Sequence, residues 1–428
     1  MTDQDDLLRR AAHALPGGLL GNHRSGAGLE FVVKEGRGAY LWDMNGRRYL
    51  DYLLGSGPML LGHAHPAVVE AVERQVRRGT SYMLLNEPAI ELAEEVVRAV
   101  PCAEQVRYTS SGTEATFFAL RVARAFRARD KIMKFEGGFH GTHDYGMMSV
   151  SPRSPKAFPA PMPDSAGIPH TIEGDVLVAP YNDLATAEAL IAAHHGELAA
   201  VLIEPYQRTI VPAPGFLAGL RAATKRYGVP LIFDEIVTGF RFAYGGAQEY
   251  YGVVPDLAAY GKVVAGGFPL ACIAGPKEIM RHFDAALEGT ADYVWQAGTF
   301  NGNAIACAAG LATLAELRKP GMYQRFFKTG TRLREGLAAA ARKHGVPAQV
   351  SGEPPVFDIF FTDREVVDYR ATLTADRDRI KRFNQELVRR KVVKAVNKIY
   401  VSLAHTDKDV EETIDIFDQA LAVIAAGA

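Results

Sequence analysis

The chain has 428 residues, of which 48% are hydrophobic and 23% charged, so it can bury large cores and is not a disordered chain. Its 48 basic and 49 acidic residues give a formal net charge of -1, which argues against electrostatic binding of nucleic acid or of an anionic membrane. The first ten residues are acidic, no apolar run is long enough to span a bilayer, and three scattered cysteines lack CxxC spacing. We therefore expect a soluble cytoplasmic protein of enzyme size, with neither nucleic acid nor membrane as a partner.

Turn residues, apolar runs and helical stretches alternate along most of the chain. A glycine-rich segment (8–35) is followed by a predicted hairpin of Ala39–Trp42 and Arg48–Tyr52 around Asn45-Gly46. Short buried strands interleaved with helices, such as Ala115–Arg127, then indicate a mostly parallel sheet covered on both faces. The predicted strands of this sheet are Val106–Thr109, Lys131–Phe135, Val176–Ala179, Ala199–Ile203, Val229–Phe233, Leu257–Tyr260 and Pro269–Ala274.

The last part of the chain predicts a smaller unit, with strands at Val356–Phe361 and Tyr400–Ala404 and a terminal helix at Asp407–Ala425. We expect an N-terminal segment (1–64) that contributes to the small domain and the substrate site, a large domain (65–318) and a C-terminal small domain (319–428). Ser149–Ile172 carries six prolines and no periodicity, which is typical of a lid or of a disordered segment.

Ser111-Gly112-Thr113 stands between a predicted strand and a helix, where open α/β sheets bind ligands. Its small residues let backbone amides approach a phosphate, and the helix N-terminus favours negative charge. Together with Glu114, the same residues are also typical of an ordinary capped helix start.

Two other predicted strands end in polar residues. Asp234 and Glu235 follow an apolar run. They are either solvated loop acids, or Asp234 is buried and pairs with a cation. Lys262 follows the next strand and has glycines on both sides. Its side chain is either exposed or a half-buried amine that can act as a nucleophile. A phosphate cradle, a strand-end aspartate and a strand-end lysine, in this order, together fit pyridoxal phosphate.

Two other kinds of site are not predicted. His63 and His65 lack a third ligand at suitable spacing, so we predict a structural turn there and no metal site. No GxGxxG follows a predicted strand, which argues against a nicotinamide dehydrogenase.

The chain resembles the class III, fold-type I aminotransferases that use pyridoxal 5′-phosphate, and is most similar to their glutamate-1-semialdehyde 2,1-aminomutase branch. The resemblance implies an α/β fold: a large domain with a mostly parallel seven-stranded sheet, plus a smaller α+β domain built from both termini. The matching motifs cover nearly the whole chain and include LGHAHP (61–66), SGTEAT (111–116), KFEGGFHG (134–141), DEIVTGFR (234–241), Gly261-Lys262 and SLAHT (402–406).

The resemblance also implies roles for the strand-end residues. Lys262 would bind the cofactor as a Schiff base and would move a proton between substrate and cofactor, and Asp234 would pair with the ring nitrogen. Ser111, Gly112 and Thr113 would bind the cofactor phosphate.

Further cofactor contacts follow from the same resemblance. Phe139 and Ile236 would pack on the two faces of the ring, with His140 and Glu204 next to them. Thr299 would reach the phosphate from the neighbouring subunit, which implies a homodimer with shared active sites.

On the substrate side, Pro16-Gly17-Gly18 leads to Arg24, at the offset where the aminomutase branch has an arginine that binds the substrate carboxylate. A guanidinium binds a carboxylate through two hydrogen bonds, so we predict a carboxylate-bearing substrate. The proline-rich loop resembles the mobile gate of that branch. The predicted substrate-side residues are Arg24, Tyr206, Gln207 and Arg208.

Three positions depart from the aminomutase pattern: Ser56, Thr209 and Asn397 replace a tryptophan, an asparagine and a glutamate. Because these positions lie in or near the active site, we predict a transaminase rather than a mutase. It would move an amino group from a β- or other non-α-amino acid to a 2-oxo acid. The aminomutase is the alternative, and a non-catalytic paralogue is less consistent because Lys262 and Asp234 are both present.

Overall fold

The computed structural model describes residues 3–21 and 29–427, which form two compact units. Unit 1 contains the residues up to Pro66, Gly321–Val366 and the residues from Thr374 onward, whereas unit 2 contains Ala67–Pro320 and Val367–Leu373. Within the described residues, no helix is long and apolar enough to cross a membrane.

The strands, in chain order, are β1 (Val33–Arg37), β2 (Tyr40–Asp43), β3 (Arg48–Tyr52), β4 (Gln105–Thr109), β5 (Lys131–Phe135), β6 (Val176–Ala179), β7 (Leu198–Ile203), β8 (Leu231–Asp234), β9 (Leu257–Tyr260), β10 (Ala271–Gly275), β11 (Gln349–Glu353), β12 (Val356–Phe360), β13 (Val392–Lys394) and β14 (Ile399–Tyr400). The helices are α1 (Asp3–Ala14), α2 (Pro66–Val76), α3 (Glu87–Ala99), α4 (Gly112–Arg127), α5 (Leu184–His194), α6 (Phe216–Arg226), α7 (Ala247–Tyr251), α8 (Lys277–Met280), α9 (Ala304–Leu317), α10 (Met322–Lys343), α11 (Tyr369–Thr372), α12 (Arg377–Arg389) and α13 (Asp407–Ala426).

The central sheet of unit 2 confirms the predicted mostly parallel, seven-stranded architecture. Its strand order is β4-β10-β9-β8-β7-β5-β6, and β10 is antiparallel to both of its neighbours while the other pairs are parallel. The strands are apolar because both faces are covered; every residue of β7 is buried. Asp234 pairs in register with Ala259 of β9, so the ends of β8 and β9 lie side by side.

Several predicted strand boundaries differ from the structure, and hydrogen bonds explain two of the differences. The strand predicted from Val229 begins at Leu231, because the Val229 amide donates to the Thr224 carbonyl and closes the end of α6. The strand predicted over Tyr400–Ala404 ends at Tyr400, because Ser402 donates its amide to Nδ1 of His405 and starts a turn towards α13.

Unit 1 has the mixed α+β character that the sequence predicts. Its sheets have the orders β1-β2-β3-β13 and β11-β12-β14. Nε2 of His63 hydrogen-bonds to Asp51 at 2.7 Å, and the other carboxylate oxygen of Asp51 accepts the amides of Leu53 and Leu54, so His63 belongs to a turn. Among residues 3–21 and 29–427, no group of three His, Cys, Asp or Glu side chains is placed to hold a metal ion.

The proline-rich loop is folded back on itself. The Asp164 carboxylate accepts the amides of Val150 (2.5 Å) and Ser151 (3.0 Å), and Ser149 Oγ accepts the amide of Met162 at 3.0 Å. These bonds close the loop at its base, and the role of the segment as a lid stays a prediction.

Candidate active site

The predicted phosphate-binding turn lies between β4 and α4. Ser111 caps the helix: its Oγ accepts the Glu114 amide at 3.2 Å, while the Glu114 carboxylate accepts the amides of Ser110 and Ser111. Ser111–Thr113 thus form an ordinary capped helix start, but the cap leaves the hydroxyl proton of Ser111 available for donation to a ligand. The first amides of a helix also have no carbonyl partner within the helix, so the cap and an anion site are compatible.

A glycine holds the neighbouring loop against this turn. Gly141 has a φ of +92°, and a Cβ at this position would lie 2.6 Å from Cα of Thr113. Thr113 Oγ1 accepts the amide of Thr142 at 3.2 Å. The loop that contains the KFEGGFHG motif therefore packs directly on the helix start.

We expect Gly141→Ala to destabilise the fold by about 2–5 kcal/mol and to weaken binding of a phosphate group at the turn, because the methyl adds a backbone clash to a strained φ. The matched control is Gly167→Ala, since Gly167 also has a positive φ of +87° but no atom within 4 Å of the added Cβ. Denaturant unfolding gives the free-energy loss of each variant. Equal losses would show that close packing at Gly141 has no role.

Asp234 ends β8 and is almost fully buried, with 5% of its surface exposed. One carboxylate oxygen lies 2.8 Å from Nδ1 of His140, and the other accepts the Ile236 amide at 3.1 Å. Carboxylate oxygens have several acceptor positions, so this arrangement orients Asp234 and leaves it able to bind a further donor.

Glu235, the second acid of the pair, has a structural role. Its carboxylate accepts the Thr238 hydroxyl and the amides of Ala247 and Gln248. Burial raises the pKa of Glu235 to about 7. The side chain therefore anchors the chain after β8, and Asp234 is the acid of the site.

Lys262 follows β9, is half-buried, and has a positive φ of 52°. A strained backbone at a polar residue after a strand is typical of functional sites. Side-chain atoms of Ile236 lie 3.0 Å from the Cβ position of Gly261 and 3.1 Å from that of Gly112. Ile236 thus touches both the phosphate turn and the segment before Lys262, which places the three strand-end segments around one side chain.

The predicted ring-stacking residue Phe139 is available for contact, since 51% of its surface is exposed. Its amide donates to Glu204 at 2.8 Å, and Glu204 is buried at the end of β7. The structure therefore places Phe139, His140 and Glu204 together beside Asp234, and their contact with the cofactor stays a prediction.

Thr299 is not among this group. It is exposed, in a segment with the exposed side chains of Trp295 and Phe300. The same unit has a groove of 1210 Å³ lined by residues that include Leu84, Leu85 and Gly298. A role for Thr299 in the site of a second chain stays a prediction.

The predicted substrate-side residues differ in their surroundings. Arg24 lies outside the described residues. Tyr206 is buried against Phe242, with ring centroids 4.9 Å apart, and the amide of Gln207 is buried and donates to the Glu136 carbonyl at 2.7 Å. The guanidinium of Arg208 donates to loop carbonyls, so its contact with a substrate stays a prediction.

Sequence reasoning missed Lys134, which lies in β5 and is fully buried. Its Nζ donates to the carbonyls of Gly138 (3.0 Å), Gly146 (2.9 Å) and Met148 (2.5 Å). These carbonyls belong to the loop that carries Phe139, so Lys134 fixes this loop to the sheet. The signal available in the sequence was a lysine inside an apolar strand.

We expect Lys134→Met to remove a pH dependence of stability. Burial lowers the pKa of Lys134 to about 7, whereas an unfolded lysine titrates near roughly 10.4. Between these values the unfolded chain binds more protons, so this group makes the wild-type free energy of unfolding rise with pH, by up to about 1.4 kcal/mol per unit.

Urea unfolding at pH 7 and pH 9 measures this difference. Lys131→Met is the control, because Lys131 is in the same strand but is only half-buried and pairs with Glu197 at 3.3 Å. The free energy of unfolding should rise between pH 7 and pH 9 in the wild type and in Lys131→Met, and this rise should be lost in Lys134→Met. Equal slopes in all three proteins would contradict a lowered pKa of Lys134 in the folded protein.

Comparison with known proteins identifies the family of the chain. A profile described as aminotransferase class-III matches residues 22–421. The glutamate-1-semialdehyde 2,1-aminomutase of Desulfitobacterium hafniense strain Y51 is 42% identical over 419 residues, 96% of each chain. Among solved structures, an omega-transaminase from Sphaerobacter thermophilus has a TM-score of 0.94 at 36% identity, over 100% of this chain and 98% of the other. A β-phenylalanine aminotransferase from Variovorax paradoxus has a TM-score of 0.87 at 29% identity, over 97% and 93%.

A seven-stranded sheet with an aspartate and a lysine after adjacent strands defines a pyridoxal-phosphate enzyme of fold type I. The chain belongs to the class-III aminotransferase family, and its cofactor is pyridoxal 5′-phosphate. The described residues fit this group: the buried carboxylate of Asp234 and the start of α4 both contact Ile236, and the half-exposed ring of Phe139 precedes His140, which contacts Asp234.

Proposed function

We propose that the protein moves an amino group between a carboxylate-bearing amino acid and a 2-oxo acid. The observation that carries this proposal is that Ile236 contacts Asp234, the Ser111–Thr113 turn and Gly261, the residue before Lys262. A β- or other non-α-amino acid is the proposed donor, and the likeness to a β-phenylalanine aminotransferase supports this choice.

The residues in this proposal have distinct tasks. When bound, the cofactor supplies an electron sink for the carbon next to the amino group. The amides and hydroxyls of Ser111–Thr113 would bind the phosphate, and the Asp234 carboxylate would hold a proton at the ring nitrogen. Lys262 Nζ would hold the cofactor aldehyde and would serve as the proton carrier next to the substrate carbon. Phe139 and Ile236 would pack on the cofactor ring and keep water away from it.

The second candidate is a glutamate-1-semialdehyde 2,1-aminomutase, in which the amino group moves within one substrate. The names of the curated relatives, at 41–42% identity, favour this candidate over the transaminase, which is supported only at the level of the family. Three departures from the aminomutase pattern argue against the aminomutase: Ser56, Thr209 and Asn397. The likeness to an omega-transaminase at 36% identity also favours the first candidate.

Dependence of turnover on an acceptor distinguishes the two candidates. The purified holoenzyme is given β- and α-amino acids with and without a 2-oxo acid, and separately glutamate-1-semialdehyde alone. A transaminase turns over continuously only with the acceptor. Continuous formation of 5-aminolevulinate without an acceptor, and no turnover of any donor with one, would replace the first candidate by the second.

We expect Arg24→Ala to raise KM for donors that carry a carboxylate, by about tenfold or more, because a charge-assisted hydrogen bond contributes about 1.5–3 kcal/mol. A simple amine donor should keep its KM. The ratio of the two KM changes is the measurement, and equal changes would show that Arg24 does not bind the carboxylate.

We also propose that two copies of the chain form a homodimer, in which Thr299 of each copy contributes to the other site. The exposed apolar side chains of Met83, Leu84 and Leu85 beside the groove support this proposal. Light scattering after gel filtration measures the mass, and a monomer would contradict it. The cytoplasmic location stays a prediction; the three cysteines are unpaired and buried.

A further inference from the structure

Arg208 has a backbone conformation that a residue with a side chain seldom adopts. Its φ is +59°, in the left-handed region that favours glycine. A strained backbone persists only where the surrounding contacts hold it in place. An observed positive φ at a residue with a side chain therefore justifies a hypothesis of function. The side-chain contacts of Arg208 indicate which function the strain supports.

The guanidinium of Arg208 connects two loops. Its Nε donates to the Gly137 carbonyl at 2.7 Å, and Nη2 donates to the Val150 carbonyl at 2.6 Å and to Ser151 Oγ at 3.1 Å. The guanidinium carbon also lies 5.4 Å from the ring centroid of Tyr369. The planar fork of arginine suits such bonds to separate acceptors better than a lysine would.

The two connected loops have different tasks. Gly137 leads directly into Phe139 and His140 of the candidate active site, whereas Val150 and Ser151 begin the proline-rich loop. The second loop is further held by the Tyr369 hydroxyl, which donates to the Pro152 carbonyl at 3.1 Å. Arg208 is therefore placed to keep the base of the proline-rich loop against the cofactor loop.

We propose that Arg208 is a latch that holds the proline-rich loop (149–172) closed on the cofactor loop, instead of a ligand of the substrate carboxylate. The proposal goes beyond the amino transfer itself, because it assigns a conformational role that holds for either candidate reaction. With the latch removed, the proline-rich loop opens more often while the rest of the fold stays intact.

Limited trypsin digestion of the holoenzyme tests the latch, because the loop contains the exposed trypsin sites Arg153 and Lys156. Arg208→Gly removes the guanidinium and also relieves the strained φ, so the fold should persist. Cleavage after the two sites should become about tenfold faster, as expected when one charge-assisted hydrogen bond is lost. Mass spectrometry of the fragments locates the cuts.

Two further variants complete the design. Ala128→Gly is the matched control, since Ala128 also has a positive φ (50°) and is exposed at the end of α4; it should be cleaved at the wild-type rate. Arg208→Lys keeps the charge but cannot form the same set of bonds, so its loop should be cleaved faster than in the wild type. If Arg208→Gly proves to be unfolded and is cleaved throughout the chain, the cleavage rate of Arg208→Lys tests the latch instead.

Kinetics separates the latch from a substrate contact. A latch predicts that Arg208→Lys changes kcat/KM by the same factor for a carboxylate-bearing donor and for a simple amine. Cleavage of both Arg208 variants at the wild-type rate, or a KM increase confined to carboxylate donors, would overturn the proposal. The digestion needs no catalytic turnover, so its result is independent of the proposed function.

Discussion

We expect Lys262→Ala to lower turnover by at least about 10³-fold, because the variant loses both the nucleophilic amine and a proton-transfer group. Lys262 is half-buried after β9 with a positive φ, in the segment that Ile236 links to the phosphate turn. Alanine fits this space but can neither bind the cofactor aldehyde nor carry a proton.

Two measurements check this expectation. Steady-state rates give the loss of turnover, and peptide mapping after borohydride treatment should find the cofactor on the Lys262 peptide in the wild type alone. Lys277→Ala, in the short helix after β10, is the control and should keep full activity. A Lys262→Ala enzyme that is as active as this control would contradict the assignment of the lysine.

Asp234→Asn should reduce kcat by about 10²–10³-fold, the range seen when one preorganised electrostatic group is removed from an active site. The carboxylate is 5% exposed and is oriented by His140 and by the Ile236 amide. Asparagine has nearly the same shape but no charge, so it can no longer hold a proton at the ring nitrogen. Visible absorbance measures separately how much cofactor the variant retains.

The control for Asp234 is Asp256→Asn. Asp256 lies directly before β9 and binds Arg221 through both carboxylate oxygens, at 2.6 and 2.9 Å. This variant should lose stability while it keeps the wild-type kcat per folded molecule. If Asp234→Asn behaved in the same way, with stability lost and kcat retained, the aspartate would have a structural role only.

The sequence predicted the central sheet well because its strands are buried on both faces. Continuous apolar runs such as Leu198–Ile203 leave little freedom in their placement. The strand predicted at Tyr400–Ala404 was wrong because its apolar residues pack in a turn, which the Ser402–His405 hydrogen bond forms. Periodicity alone does not distinguish these two cases.

The acid and the amine of the candidate site were proposed from the sequence because Asp234 ends one buried strand and Lys262 comes two residues after the next. The pairing of Glu136 with Arg370 was not predictable in this way. Arg370 donates to both oxygens of Glu136, at 2.7 and 3.0 Å, from the other end of the chain. Such a pair becomes visible only when folding brings distant segments together, and the same is true of the carbonyls around Lys134.

The most direct test of the central claim follows the amino group itself. The holoenzyme is incubated with a ¹⁵N-labelled β-amino acid and an unlabelled 2-oxo acid, and the products are analysed by mass spectrometry. Transfer between two molecules places ¹⁵N on the amino acid formed from the acceptor, which is the result we predict. A protein that forms no labelled product from any donor, yet converts ¹⁵N-labelled glutamate-1-semialdehyde to 5-aminolevulinate without an acceptor, would contradict the account.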